Sequence, residues 1–286
     1  MKVIFNCKYY DFHKDYCINI HNELLRRGYE SIISTDESHY KDADFTIQPD
    51  EACKRQGGLG IWINHAFPFI PHNIFYLEED FIRDITNHSD YIFTFSKAWA
   101  EWHSHYNLPI EVVGMPKLDN LFNNKKENTV ILYAPTWNKD LTSLDKVNIE
   151  KLKKYGEVIF RGHPAFHNNK YTLDEALSKA TIVISDYSSV GLESIVLDIP
   201  TIMFESDKWK GKRYEHISND AMDASICVTT QEELEEAIQK YIDNPTYLQK
   251  EREKHSKILC EYPRISSEKF VDTLEKLKNE KKKNIK

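Results

Sequence analysis

The sequence lacks a glycine-rich phosphate loop: neither G-x-x-x-x-G-K-[ST] nor G-x-G-x-x-G occurs in its 286 residues. P-loop nucleotide triphosphatases and dinucleotide oxidoreductases are thereby excluded by motif. It lacks any CxxC pair or Cys/His metal spacing. The cysteines number five (Cys7, Cys17, Cys53, Cys227 and Cys260), an odd count that fits a reduced protein with mostly buried thiols better than a disulfide framework. No apolar run approaches the ~18 residues of a spanning helix. The opening MKVIFNC is too short an apolar run for a secretory signal and reads as a first strand. The chain is therefore expected to be cytoplasmic, either soluble or peripheral on the inner face of the cell membrane. An excess of basic residues is also missing. The net charge of −7 argues against a general nucleic-acid binder, so no nucleic-acid partner is expected. There is no short-period repeat, and the one biased stretch is the lysine-rich end KLKNEKKKNIK.

Hydrophobic content of 41% and aromatic content of 12% suffice for real cores. The length suggests two domains of about 120 to 150 residues each. The first half alternates apolar runs with helical patterns. KVIFNC, SIIST, DFTIQ, GIWINHAF, SDYIFTFS and IEVVGMP read as strands, and KDYCINIHNELLRRGYE and KAWAEWHSHY as helices. Turn formers then cluster around Asn123–Asn128, and the alternation restarts with VILYAPTW, EVIFRGHP, TIVISDYSS, IPTIMF and ASICVTT as strands. This predicts an α/β chain of two Rossmann-like, doubly wound domains facing a cleft. The expected divisions are 1–122 for an acceptor-side domain, 123–262 for a nucleotide-donor domain, and 263–286 for a C-terminal helix with a basic tail.

Ligands of such sheets sit beyond the carboxyl ends of the strands. Three strand ends of the second half deliver polar groups there: Thr136 in APTW, Arg161 and His163 in RGHP, and Asp186, Ser188 and Ser189 in SDYSS. Ser188 or Ser189 can cap the helix that follows, whose free N–H groups favour an anion such as phosphate. His163 can add a donor. Glu193, one turn into that helix, can accept from ribose hydroxyls. In the first half, Asn64 and His65 end a strand, and His65 suits a general base for an acceptor hydroxyl. Lys117 and Asp119 in GMPKLDNLF are candidate cleft residues. His72 and His88 have weaker claims. His103 and His105 lie on a predicted helix two apart, where they do not share a metal-binding face, and read as surface residues.

HA after a strand, GMPKLDNLF, ILYAPTW, FRGHP and SDYSSVGLESIVLDIPTIMF, in this order and approximate spacing from Ile61 to Phe204, resemble the CDP-glycerol glycerophosphotransferase family of teichoic-acid primases and polymerases. The resemblance implies a GT-B fold with a CDP-linked donor bound mainly by the C-terminal domain. His163, Ser188 and Ser189 would then contact the diphosphate and His65 would serve as base. It implies an enzyme that moves a polyol phosphate, glycerol phosphate foremost, to a hydroxyl of an envelope glycan or lipid-linked acceptor, releasing CMP. No cofactor or protein-borne metal site is expected, though a divalent ion could assist the diphosphate. Ala66 stands where the family has glycine, FPFIP replaces a stretch with a lysine, and Gly162 precedes His163 where proline is usual. CDP-ribitol, another nucleotide-linked polyol, or a nucleotide sugar used by a GT-B glycosyltransferase remain compatible donors. The basic end is an expected contact for an anionic membrane surface.

Overall fold

Parallel strands covered on both faces read as unbroken apolar runs, and the chain carries such runs throughout. The computed structural model describes residues 1–7, 13–35, 41–49, 58–64, 66–68, 78–122, 128–164, 166–205, 217 and 221–284. The chain divides into two compact units: Met1–Ala66, Phe75–Asn120 and Cys260–Lys286 form one, Phe67–Ile74 and Leu121–Leu259 the other.

The first unit holds β1 (Lys2–Asn6), α1 (His13–Arg26), β2 (Glu30–Ser34), β3 (Phe45–Pro49), β4 (Leu59–Ile63), α2 (Glu79–His88), β5 (Tyr91–Thr94), α3 (Lys97–Trp102) and β6 (Ile110–Val112). Its sheet runs β2-β1-β3-β4-β5-β6 with every pairing parallel. The stretch KAWAEWHSHY is helical only to Trp102, and His103–Tyr106 tightens into a 3₁₀ turn. Helix α2 is absent from the pattern reading because it buries only Ile85 fully along its length. Cys7 and Cys17 are buried with their Sγ atoms 4.0 Å apart, Cys260 is buried and Cys227 exposed, while Cys53 lies outside the described residues.

The second unit holds β7 (Val130–Ala134), α4 (Ile149–Leu152), β8 (Glu157–Phe160), α5 (Leu173–Lys179), β9 (Ile182–Ser185), α6 (Ser189–Val196), β10 (Thr201–Phe204), β11 (Ile226–Val228), α7 (Gln231–Asp243) and α8 (Gln249–Leu259). The sheet order is β11-β10-β9-β7-β8, again all parallel. One face is filled by Tyr133, Ile184, Ile202 and Ile238, the other by Leu132, Val183, Leu177 and Val190. Helix α6 packs on α8 as well as on the sheet, so everything from Val190 to Val196 is buried.

The C-terminal helix α9 (Ser266–Asn284) is not a separate appendage, as the sequence divisions had it. It belongs to the first unit and packs on α1. Arg27 on the turn after α1 donates to Asp272 at 2.6 Å and Glu275 at 3.2 Å, and Phe270 meets Phe93 at a ring separation of 4.8 Å.

Candidate active site

In the second unit the strand order reverses between β7 and β9. Such a switch point opens a crevice at the carboxyl ends of the two strands. Ala134 pairs with Ser185 across them, and Tyr133 with Phe160 on the other side of β7. The residues that follow, Thr136, Arg161 and Asp186, therefore leave the sheet at nearly one level.

Asp186 organises this rim from beneath. It is wholly buried, and its Oδ1 accepts the Thr136 N–H at 2.6 Å, while its Oδ2 accepts the Ser143 N–H and Oγ–H at 3.0 Å each. Ser143 Oγ in turn lies 2.9 Å from the Tyr133 hydroxyl. Burial pushes the Asp186 carboxyl up to about 7 against the pull of these donors. The sequence places Asp186 among the donor contacts. The structure corrects this: the carboxylate is sealed from solvent and ties three rim segments together. Glu193 is likewise 0% exposed, on a helix covered by the sheet and by α8.

Ser188 caps α6. Its backbone is extended (φ −131°, ψ 149°) and its Oγ accepts the Val190 N–H at 3.5 Å. Ser188 and Ser189 are half-buried and face the rim at the start of α6, where the helix dipole and N–H groups favour negative charge. His163 and Arg161 are half-buried past the end of β8, on the far side of β7 from β9, and Arg161 N donates to Tyr133 O at 2.9 Å. Gly162 between them has a steric reason. A Cβ there would lie 2.2 Å from the His167 ring, which stacks edge-on against Phe160 at 5.6 Å.

Two aromatic residues with no role in the sequence reading flank His163. Trp137 is 48% and Phe166 66% exposed. Their rings lie 5.9 Å apart, and 6.2 and 5.9 Å from the imidazole. Their signal in the sequence was two large apolar residues placed in polar loops directly after strand ends, where packing does not ask for them.

In the first unit, Asn64 follows β4 and is buried. Its Oδ1 accepts the Nε2–H of His103 at 2.9 Å. His103 is not the surface residue expected: it is 1% exposed, because the 3₁₀ turn rotates it inward among aromatic rings. His65 and His72 lie outside the described residues. His88, at the end of α2, is half-buried with Nδ1 2.8 Å from Asp84 O.

GMPKLDNLF proves to be a buckle within this unit. Asp119 accepts the Ser266 and Ser267 N–H groups at 3.0 and 2.7 Å and so caps α9, and burial raises its carboxyl above the usual range. Asn19 donates to the carbonyls of Pro116 and Lys117 at 2.9 and 3.4 Å. Gly114, at φ +81°, leaves room for Glu261 O and Ser266, which a Cβ would meet at 2.3 Å. Lys117 is buried in the same turn. Asp119 therefore anchors a helix end where the sequence suggested a cleft contact. Among the described residues no group of three or more His, Cys, Asp or Glu side chains gathers as metal ligands, and no helix is long and apolar enough to cross a membrane.

A family model described as CDP-glycerol:poly(glycerophosphate) glycerophosphotransferase matches residues 78–276. The teichoic acid glycerol-phosphate primase of Staphylococcus aureus (strain NCTC 8325 / PS 47) is 30% identical over 124 residues, 40% of this chain and 34% of the primase. The chain thus matches about a third of the length of that relative. A variant of the wall teichoic acid polymerase TagF, soaked with CDPG, superposes with a TM-score of 0.76 at 16% identity, over 98% of this chain and 89% of that one. UDP-GlcNAc 2-epimerase from Neisseria meningitidis superposes with a TM-score of 0.60 at 14% identity, over 96% and 100%. These two likenesses establish a shared GT-B-type fold of paired α/β units.

Proposed function

We propose an activity for this chain, which belongs to the CDP-glycerol:poly(glycerophosphate) glycerophosphotransferase family: it transfers glycerol phosphate from CDP-glycerol to a hydroxyl of an envelope glycan or lipid-linked acceptor in teichoic acid synthesis, releasing CMP. The observation that carries this reading is the rim at the switch point of the second unit, inside the span matched by the family. There His163, Ser188, Ser189 and the start of α6 present donors to an anion, on a base locked by Asp186.

The chemistry follows from the bonds exchanged. The acceptor oxygen bonds to the β-phosphorus, the bridging P–O bond breaks, and CMP leaves with its negative charge. His65 takes the acceptor proton. His163 and the N–H groups of α6 hold the charge spreading over the phosphate oxygens. Such a displacement needs positioning and preorganised donors more than covalent help, and a rim whose loops are tied to one buried carboxylate supports that need.

The membrane contact is a finer part of the reading. Helix α9 ends in Lys281, Lys282 and Lys283, which would draw the protein to anionic lipid and to a lipid-linked acceptor. The test of the activity is a donor screen. The protein is incubated with CDP-glycerol, CDP-ribitol and UDP-, GDP- and CMP-sugars, with and without envelope-lipid acceptors, and the products are read by phosphorus NMR. CMP release with a new phosphodiester from CDP-glycerol is expected. Release of UDP or GDP without a phosphodiester would make the chain a glycosyltransferase and refute the proposal.

A further inference from the structure

Two aromatic rings of the second unit are held at the surface by locked turns. Trp137 follows β7 and Phe166 follows β8. The turn after β7 is fixed at both ends by Asp186, which accepts the Thr136 and Ser143 N–H groups. Inside it, the Asn138 carbonyl accepts the Leu141 and Thr142 N–H groups at 3.0 and 2.8 Å, and the Asn138 side chain accepts the Asp140 N–H at 2.9 Å. In the turn after β8, the His163 carbonyl accepts the Phe166 and His167 N–H groups at 3.0 and 3.1 Å. The Asn169 amide donates to the Gly162 and His167 carbonyls at 3.0 and 3.2 Å. Turns bonded in this way have little freedom to fold a large ring inward. The rings stay exposed in spite of the hydrophobic cost.

The Trp137 and Phe166 centroids are 5.9 Å apart with planes inclined at 31°, and the His163 imidazole lies 6.2 Å from the first and 5.9 Å from the second. The rings thus form one contiguous aromatic patch across the ends of two adjacent strands. The next strand beyond β7 is β9. Past its end come Ser188, Ser189 and the start of α6, where free N–H groups favour an anion. An aromatic surface and an anion site on neighbouring strand ends match a ligand with a flat ring at one end and a phosphate at the other. The border of the patch is polar, with Lys139, Asp140 and Asn168 exposed. It leaves the edge groups of a heterocycle in water and gives an acyl chain no apolar wall.

We infer that Trp137 and Phe166 are the stacking surface for the nucleobase of the donor. The inference rests on the reading of the chain as a transferase with a nucleotide-linked donor, and it assigns the ring end of that donor, which the anion site leaves unspecified. Stacking uses the π-face that every base has, so the two rings supply affinity for a nucleotide and do not choose between cytosine and uracil. Rings already fixed by their turns lose little freedom on binding.

The experiment measures Kd for CMP, UMP and inorganic pyrophosphate by calorimetry, and KM for CDP-glycerol and for the acceptor. It compares the wild type with Trp137→Ala, Trp137→Leu, Trp137→Tyr and Phe166→Ala, with thermal melting alongside. Trp137→Ala should weaken CMP and UMP alike, by about five- to a hundredfold for one stacked base. It should raise KM for CDP-glycerol by a similar factor and leave pyrophosphate unchanged. Trp137→Leu keeps apolar bulk without a π-face and should lose as much, while Trp137→Tyr should recover most of the loss. Phe166→Ala should weaken the nucleotides by a smaller factor, and it serves if the Trp137 variants fold poorly. Unchanged CMP binding in both alanine variants overturns the inference, even if the acceptor KM rises. Equal weakening of CMP and pyrophosphate also overturns it, because the rings would then only support the rim. A wild-type protein that binds CMP in the expected pattern but transfers nothing from CDP-glycerol refutes the activity and leaves the stacking surface standing. One that binds no nucleotide refutes both.

Discussion

Replacing Asp186 by asparagine separates the stability of the rim from its function. The carboxyl is pushed from its ordinary 3.8 up to about 7 by burial. Between those values the folded chain holds a proton that the unfolded chain releases. Stability attributable to this group is therefore fully present below pH 3.8 and is lost as pH rises toward 7, at up to about 1.4 kcal/mol per pH unit. Over the roughly three pH units concerned, the ionised side chain costs on the order of 4 kcal/mol relative to the protonated one. Asparagine has the same shape and does not titrate, so it escapes this cost. It has one acceptor oxygen, whereas the carboxylate satisfies the Thr136 N–H with one oxygen and the Ser143 N–H and Oγ–H with the other. The Ser143 hydroxyl can turn to accept, but one backbone N–H is left facing the amide NH₂, at about 1–3 kcal/mol.

The two effects have different pH dependences, and that decides the outcome. At about pH 3.5, below both values, neither state has released the proton, so only the misplaced donor counts and Asp186→Asn is less stable by about 1–3 kcal/mol. At pH 8 the relief from burying a charge outweighs it, and the variant matches or exceeds the wild type. Urea denaturation at about pH 3.5, 5, 6.5 and 8 reads this as a crossing of the two midpoint curves. Donor KM should rise about tenfold at pH 8 even where the variant is the more stable, because the Thr136 and Ser143 segments have lost a shared anchor. Stability given up for a functional site is a common exchange. Parallel midpoint curves, with Asp186→Asn equally destabilised at every pH, would refute the reasoning.

Three further outcomes are expected. Trp137→Ala should change melting by less than about 0.5 kcal/mol equivalent, since a side chain 48% exposed supports little packing, while donor KM rises severalfold; an unchanged KM removes the ring from the site. Asp119→Ala strips the acceptor from two N–H groups at the start of α9 and should destabilise by about 1–2 kcal/mol in denaturant, leaving donor KM alone once folding is corrected for; a KM effect larger than the stability loss would return Asp119 to the cleft. Deleting 280–286 should abolish salt-sensitive binding to vesicles rich in anionic lipid, each basic residue contributing about 1 kcal/mol near the surface; equal binding of truncated and full-length protein ends the membrane proposal.

The strands were legible because sheets covered on both faces leave a local record. KVIF, TIVIS and TIMF are continuous apolar runs, and each is a buried strand. The placement of α9 left none, because its bonds to Arg27 join residues about 245 positions apart. Asp186 was legible as a residue at a strand end but not as a buried anchor, since its partners Thr136 and Ser143 lie 50 and 43 positions away. The burial of Glu193 could have been read from its neighbours. In SVGLESIV the apolar residues Val190, Leu192, Ile195 and Val196 surround the helix, and a helix apolar all round is buried. His103 had a comparable hint in WHSHY, an imidazole between two aromatics.

These misplacements share a geometry. Directly past β9 comes Asp186, and directly past β4 comes Asn64; both are sealed inside, each holding a bond from a distant segment. Past β7 the Thr136 N–H is likewise spent inward. The residues that open outward come one to three positions later: Trp137 after Thr136, Ser188 and Ser189 after Asp186. A chain leaving a buried parallel sheet has its last polar groups still in low dielectric, where an unmade hydrogen bond is most costly. The first polar residue is therefore selected as an anchor, and only the next can afford to face a ligand.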